Sequence, residues 1–383
     1  MTNVRTHRWT ELAEHMAGRL SVDSRSRVSV FVNDEAALPA AHALIHAVTR
    51  RGAEVQTVYT SERAEYEALA AYDVDRLAEP APIEKAAMEW SDVHVSFRAM
   101  LWPDTDRGIQ DIENLPRRLA AMRAAKGVIS TLRWQGTRWA VVRIPTPTWA
   151  DRIGVPAQTL LAEFFAGALD DWDENKRRWQ PVADALTDGH TATISSADTE
   201  LSLGIEGRRG VLFAGEANLP DGEAATAPVD DRVDGHITFP GTAIFAGYEF
   251  EDLHLVFERG RVVDVRARRG ADLARALIDT DAGSCRVGEL GIGLSAVVKQ
   301  WTGDLFIDEK ILGTVHIALG RAYPECGGVN MSSLHWDIVK DLRHTAGGGG
   351  TLAIDGVPII DDGRVMWPSL TPPSSVGGLG LPS

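Results

Sequence analysis

Apolar residues recur with two different periods along this chain, and the change between them falls near its middle. In residues 9–20, Trp9, Leu12, Met16 and Leu20 return every three to four positions, the spacing of one helix face. Residues 27–32 follow as a short β-branched strand. Asn33 and Asp34 can cap a helix that runs to Arg51, and Gly52 supplies its stop. Residues 54–60 read as the next strand, 83–90 as helix and 92–98 as strand. Residues 115–126 read as helix with Gly127 after it, and 128–132 as strand. Strands separated by helices of this length predict a mainly parallel sheet with covering helices. A proline-punctuated connector, residues 143–149, leads to two amphipathic helices over 156–169 and 174–186. The turn Thr187-Asp188-Gly189-His190 marks the expected boundary, with an α/β domain over 1–188 and an α+β domain over 189–383.

Past that turn the texture changes. Residues 192–196, 201–205, 211–214, 236–239 and 253–257 alternate or cluster as short strands. Residues 258–261 join 253–257 to 262–265 as a hairpin, and Asp355-Gly356 joins 351–354 to 357–360 in the same way. Residues 271–279 read as helix. The second half is therefore expected to be mainly antiparallel sheet. There is no internal repeat. Two glycine-rich stretches are short, 347–350 and 377–380, and the second is expected to be a loose tail or an arm on a partner subunit.

Composition narrows the function classes. At 383 residues and 44% hydrophobic content, the chain is long enough for two ordinary globular domains. Its net charge of −15 argues against a nucleic-acid partner, which needs clustered Lys and Arg. No run of 18 apolar residues exists, so no membrane span is expected. The first nine residues hold no apolar signal segment, and two cysteines, Cys285 and Cys326, make neither a disulfide framework nor a zinc knuckle. A cytoplasmic setting is expected. No glycine-rich phosphate fingerprint follows any strand of the first half, so its layout implies no nucleotide.

The candidate chemistry lies mostly between Glu289 and Asp337. His335 and Asp337 sit in an extended run, 334–339, where alternate residues share a side. His316 and Tyr323 fall in 311–323, read as a helix, where seven residues place both on one face. Glu289 stands among Gly288, Leu290, Gly291, Ile292 and Gly293, and a carboxylate buried there needs a partner. Glu223 follows the turn Pro220-Asp221-Gly222. Each has an ordinary reading: His335 paired with a surface Asp, His316 a satisfied core histidine, Glu289 bound to an arginine, Glu223 exposed on a loop. Together they form a mixed nitrogen and oxygen set suited to two divalent ions of the Zn, Co or Mn type. Such a pair can share a bridging carboxylate, and Tyr323 could stabilise an oxyanion beside it. Of eleven tryptophans, Trp134, Trp139, Trp149, Trp172 and Trp179 crowd the middle of the chain, as core packing or as an aromatic substrate wall. Cys326 reads as a buried thiol or as a pocket wall.

The blocks Leu219-Pro220-Asp221-Gly222-Glu223, Gly288-Glu289-Leu290, His316-Ile317-Ala318-Leu319-Gly320-Arg321-Ala322-Tyr323 and His335-Trp336-Asp337 resemble the aminopeptidase T / aminopeptidase S family of metallopeptidases. That resemblance implies a dinuclear centre held by Glu223, Glu289, His316, His335 and Asp337, with Tyr323 catalytic and Glu223 or Glu289 accepting a proton. It also implies a small peptide or amide substrate and a homodimer. The link 324–334 is shorter than in those peptidases, and 338–343 departs from their continuation. The 2,5-dihydroxypyridine 5,6-dioxygenases resemble the chain more distantly. They use one non-haem Fe(II) and carry a histidine where this chain has Glu289. A single-metal enzyme of that kind, and a non-enzymatic binding protein, are the alternatives.

Overall fold

The computed structural model describes residues 2–102, 112–245, 247–344 and 349–367. The stretch 377–380, together with Gly347 and Gly348, lies outside them.

The first half builds a five-stranded, wholly parallel sheet. Its order is Glu54–Tyr59, Arg27–Val32, Val93–Ala99, Arg138–Ile144 and Asn218–Leu219. Val28, Val30, Val93, Val95 and Val142 are fully buried, as strands covered on both faces require. Helices Thr2–Arg19, Leu38–Arg50 and Leu115–Gly136 supply much of the cover. The fifth strand comes from beyond residue 188, so the second half of the chain completes this sheet.

One expected strand is absent. Residues 128–132 continue the helix Leu115–Gly136, and Gly127 lies in its interior. A Cβ on Gly127 would meet the Ser333 carbonyl oxygen at 2.4 Å. The glycine allows helix and loop to approach; it does not stop the helix.

The second half forms two antiparallel sheets. The larger, of eight strands, has at its centre Val233–Phe245 paired with Tyr248–Glu258 and with Thr199–Gly204. Both expected hairpins form, and each turn has two positive φ angles: Arg259 (48°) and Gly260 (78°), then Asp355 (49°) and Gly356 (80°). The smaller sheet runs His335–Asp341, Thr314–Gly320, Val287–Gly293, Glu223–Thr226 and Val211–Phe213. Trp336 on its back face stacks on Phe245 (centroids 5.2 Å) and packs on Phe250 (4.9 Å), which joins the two sheets. Trp149, Trp172 and Trp179 are core residues. Among the described residues, no helix is long and apolar enough to cross a membrane.

Candidate metal centre

The site lies on one face of the smaller antiparallel sheet. Residues opposite each other in such a sheet point to the same side. Gly293 faces Glu223, Gly291 faces His316, Glu289 faces Ala318, Ala318 faces Asp337 and Gly320 faces His335. The five expected ligands therefore share a surface spanning four strands. The alternate positions Leu290, Ile292, Val315, Ile317, Leu319, Trp336 and Ile338 point to the opposite face and are buried. Among the functional side chains stand the small residues Gly291, Gly293, Ala318, Gly320 and Ala225. Gly291 is required: a Cβ there would fall 2.0–2.1 Å from His316 ring atoms.

The expected helix over 311–323 is not formed. Thr314–Gly320 is a strand with every residue buried. A short apolar run buried on both faces looks alike as helix or strand, and the β-branched Thr314, Val315 and Ile317 favour strand. His316 and Tyr323 thus share no helical face. The chain instead turns at Gly320 (φ 99°) and brings Tyr323 back, so that its ring packs on His335 (5.3 Å) and Phe213 (5.3 Å).

The donors fall into two groups. His316 Nε2 lies 3.4 Å from Glu223 Oε2 and 3.6 Å from Glu289 Oε1. His335 Nε2 lies 3.4 Å from Glu289 Oε2 and 3.3 Å from Asp337 Oδ1. Glu289 therefore turns one oxygen to each histidine. These separations exceed the ~2.7–3.2 Å of a good N–H···O bond. They match two ligands of one tetrahedral ion, which bonds of ~2.0–2.1 Å hold about 3.3 Å apart. Two further observations suit a cation: Glu223 Oε2 and His316 Nδ1 are buried without hydrogen-bond partners. His335 Nδ1 lies 2.9 Å from the Arg321 carbonyl oxygen. A carbonyl only accepts, so Nδ1 carries the proton and the neutral ring offers Nε2 as a ligand.

The structure adds residues that the sequence reading missed. Glu309 joins Glu223 and His316 in one group whose donor atoms all lie within 4.8 Å. Lys310, wholly buried, donates to Glu223 Oε1 (2.6 Å), lies 2.8 Å from Glu309 Oε1 and 3.6 Å from Asp221 Oδ1. The available signal was Asp308-Glu309-Lys310, three charged residues set inside an apolar stretch. In isolation they look like a surface turn.

Charge and burial compete throughout this centre. Burial pushes His316 down, but Glu289, Glu223 and Glu309 outweigh it and hold it at about 9. His335 is likewise raised, against burial, by Asp337 and Glu289. Burial raises Glu309 to about 8 despite Lys310 beside it. Burial, with Glu289 and Asp337 nearby, holds the Tyr323 phenol well above its usual range. Cys326 is buried, its Sγ 3.8 Å from the Ala225 carbonyl oxygen. Of the crowded tryptophans, Trp134 approaches the site, with its ring 6.4 Å from Tyr323.

Known proteins share both pattern and fold. Aminopeptidase T of Thermus thermophilus is 29% identical over 234 residues, covering 54% of this chain and 57% of that protein. The matched region thus spans little more than half of that relative. Aminopeptidase 2 of Geobacillus stearothermophilus is 26% identical over 325 residues, 71% of this chain and 75% of that protein. The solved structure of wild-type AmpT from Thermus thermophilus superposes with a TM-score of 0.72 at 23% identity, covering 94% of this chain and 99% of that one. A 2,5-dihydroxypyridine dioxygenase from Pseudomonas putida KT2440 superposes more distantly, with a TM-score of 0.57 at 17% identity over 95% and 98% of the chains. Both likenesses establish the fold. The family model described as thermophilic metalloprotease (M29) matches residues 6–365. The chain therefore belongs to the thermophilic metalloprotease family M29.

Proposed function

We propose that this chain is a metal-dependent hydrolase of N-terminal peptide or related amide bonds, with two divalent ions held side by side. The observation that carries this reading is Glu289, with one carboxylate oxygen toward His316 and the other toward His335. Glu223, Glu309 and His316 would hold one ion, His335 and Asp337 the other, and Glu289 would bridge them. Charge supports the same count. With the acids ionised and the histidines neutral, as ion binding would require, five carboxylates, Asp221, Glu223, Glu289, Glu309 and Asp337, face one ammonium, Lys310, and leave four negative charges to balance. Two divalent ions carry that charge.

Bound ions would supply Lewis acidity and make a coordinated water acidic near neutral pH. The chain's own groups do the rest. Lys310 fixes Glu223 through Oε1, which leaves Oε2 beside His316 as the atom that would hold the ion. Tyr323 keeps its proton and can donate to the oxyanion that forms on the scissile carbonyl. The Glu223 and His316 side chains are 6% and 1% exposed, whereas His335 and Asp337 are 16% and 24% exposed. Substrate approaches from the His335 side, where Tyr323 packs. The reading includes zinc, cobalt or manganese as the ion, a homodimer, a cytoplasmic setting, and a division into domains near residue 188.

The test is metal content of protein purified without added metal, followed by hydrolysis of aminoacyl anilides. About two equivalents of Zn, Co or Mn with anilide cleavage is the expected result. One equivalent of Fe(II) with oxygen uptake on a hydroxylated heteroaromatic would overturn it, as would a folded protein that takes up no metal.

A further inference from the structure

Away from the ligands, Arg133 of helix Leu115–Gly136 and Arg321, just past strand Thr314–Gly320, meet near Tyr323 with no ion-paired carboxylate among the described residues. Arg133 Nη2 donates to Ser130 Oγ (3.1 Å), and Arg321 Nη2 donates to the same oxygen (3.2 Å). Arg321 Nη1 also donates to Thr131 Oγ1 (3.0 Å). Two guanidinium groups thus converge on one neutral hydroxyl. Among the described residues, no carboxylate makes an ion pair with either. Arg143 is paired with Asp304 and Lys126 with Glu65, whereas Arg98, among the described residues, also lacks an ion-paired carboxylate. Arg133 Nε is buried without a hydrogen-bond partner.

Both guanidinium groups lie near aromatic rings. Arg133 sits over Trp139 (4.6 Å) and Arg321 over Trp134 (6.0 Å). A stacked guanidinium keeps its N–H edge free for planar, two-point recognition of a carboxylate. Trp134 in turn meets Tyr323, and Tyr323 meets His335. A continuous wall therefore runs from the proposed metal centre through Tyr323, Trp134 and Arg321 to Arg133.

The electrostatics agree with the geometry. Burial, with Arg98 and Arg321 adding like charge, lowers Arg133 to about 9. Burial also lowers Arg321, while Tyr323 and Asp337 lie within its electrostatic reach. A half-buried cation in this condition is stabilised by an anion that arrives with all its acceptors free. In a chain of net charge −15, two such arginines with no ion-paired carboxylate among the described residues run against the overall composition.

We infer that Arg133 and Arg321 form a carboxylate-binding subsite, so that the substrate is a short peptide or amide bearing a carboxylate beyond the bond to be cut. The inference rests on the hydrolase reading above for what is cut, but not for what is bound. The carboxylate has two sources, the peptide's own C-terminus or an acidic side chain.

The experiment begins with binding. Metal-loaded, full-length protein is titrated calorimetrically with glutarate and with its neutral diamide. Glutarate should bind at least about tenfold tighter, the usual size of a charge-assisted pair. Arg133→Gln and Arg321→Gln should each abolish that preference with metal content unchanged, and Arg133→Lys should restore part of it. Arg321 also anchors the helix through Ser130 and Thr131, so Arg133→Gln is the deciding variant if Arg321→Gln unfolds. No preference in the natural protein, or a preference that survives Arg133→Gln, overturns the subsite. Hydrolysis then separates the two sources. Trialanine, its C-terminal amide and Ala-Glu-Ala amide are compared by KM. A low KM for trialanine alone identifies the C-terminus, and a low KM for the glutamyl amide identifies the side chain. Equal values for all three overturn the substrate assignment. Glutarate selectivity without cleavage of any peptide would retain the subsite and sink the peptidase reading.

Discussion

The two donor groups of the proposed centre are built in opposite ways. Glu223, Glu309 and His316 are sealed in the protein, with a buried lysine already among the carboxylates. His335 and Asp337 stand at the open side with buried Glu289 behind them and no lysine, and His335 is aimed by a backbone carbonyl. In the sealed group, a charged partner sets geometry and removes part of the cost of burying two acids. In the open group, the two acids face histidines rather than a lysine, and the protein controls the tautomer of His335. The contrast assigns the sealed group to holding structure and the open group to meeting substrate. Glu289 belongs to both.

Breaking the shared residue should have the largest effect. Glu289→Ala is expected to take metal content from about two equivalents toward none and abolish turnover; retention of both ions would remove Glu289 as a bridge. His335→Ala should separate the groups, losing the open-side ion while the sealed one stays, as read by metal analysis after dialysis. Next comes the sealed side. Lys310→Met leaves Glu223 and Glu309 without their buried cation, which should lower the stability of metal-free protein by ~3–5 kcal/mol. Added metal should recover much of the loss, so unfolding with and without zinc is the measurement.

Tyr323→Phe is expected to keep its metal and lower kcat by about a hundredfold, the effect of losing one oxyanion donor. Unchanged kcat would exclude Tyr323 from the chemistry. The smallest effect concerns the link into the open side. Asp281 accepts from Ser333 N (2.9 Å), Ser333 Oγ (2.8 Å) and Ser332 Oγ (3.0 Å), just before His335. Burial raises this carboxyl, but those bonds and one from Ser284 outweigh it and bring it from 3.8 to about 2. A folded pKa below the unfolded one stabilises the fold above pH ~4, and that contribution is lost as pH falls toward 2. Asp281→Asn should therefore show a shallower loss of stability between pH 4 and pH 2 than the natural protein.

The link 324–334 gains a physical meaning from these contacts. It is short, and Asn330 and Ser332 tie it to Gly283 and Asp281. The same loop carries Ser333 against Gly127 and so receives the helix that bears Arg133 and Trp134. The segment expected to depart from the peptidases is thus where helix Leu115–Gly136 meets the smaller sheet beside the open group. That placement fits a role in choosing substrate, and the Arg133 and Arg321 pair states what that choice would be.

Local pattern was enough for the strands Arg27–Val32, Glu54–Tyr59 and Val93–Ala99 of the first half, for both hairpins and for His335 and Asp337 on one strand face. Those features depend on period and turn chemistry, which neighbouring residues decide. The motif blocks also carried the family and brought Glu223 into the set. Local pattern failed where burial removes the period. Thr314–Gly320 is covered on both faces, so its apolar run had no period to separate strand from helix and only its β-branched residues pointed to strand, and Gly127 ended nothing because its reason is a loop 206 positions away. Glu309, Lys310, Arg133 and Arg321 could not be read as functional from their surroundings in the sequence. A charged residue reads as solvent-facing until its environment is known, and that environment exists only after distant strands and one helix have packed around it. The sequence by itself determined the fold class and singled out five side chains that the smaller sheet gathers on one face. The tertiary structure alone decided which oxygen of Glu289 faces which histidine, because register across three strands and the small residues between them set those directions.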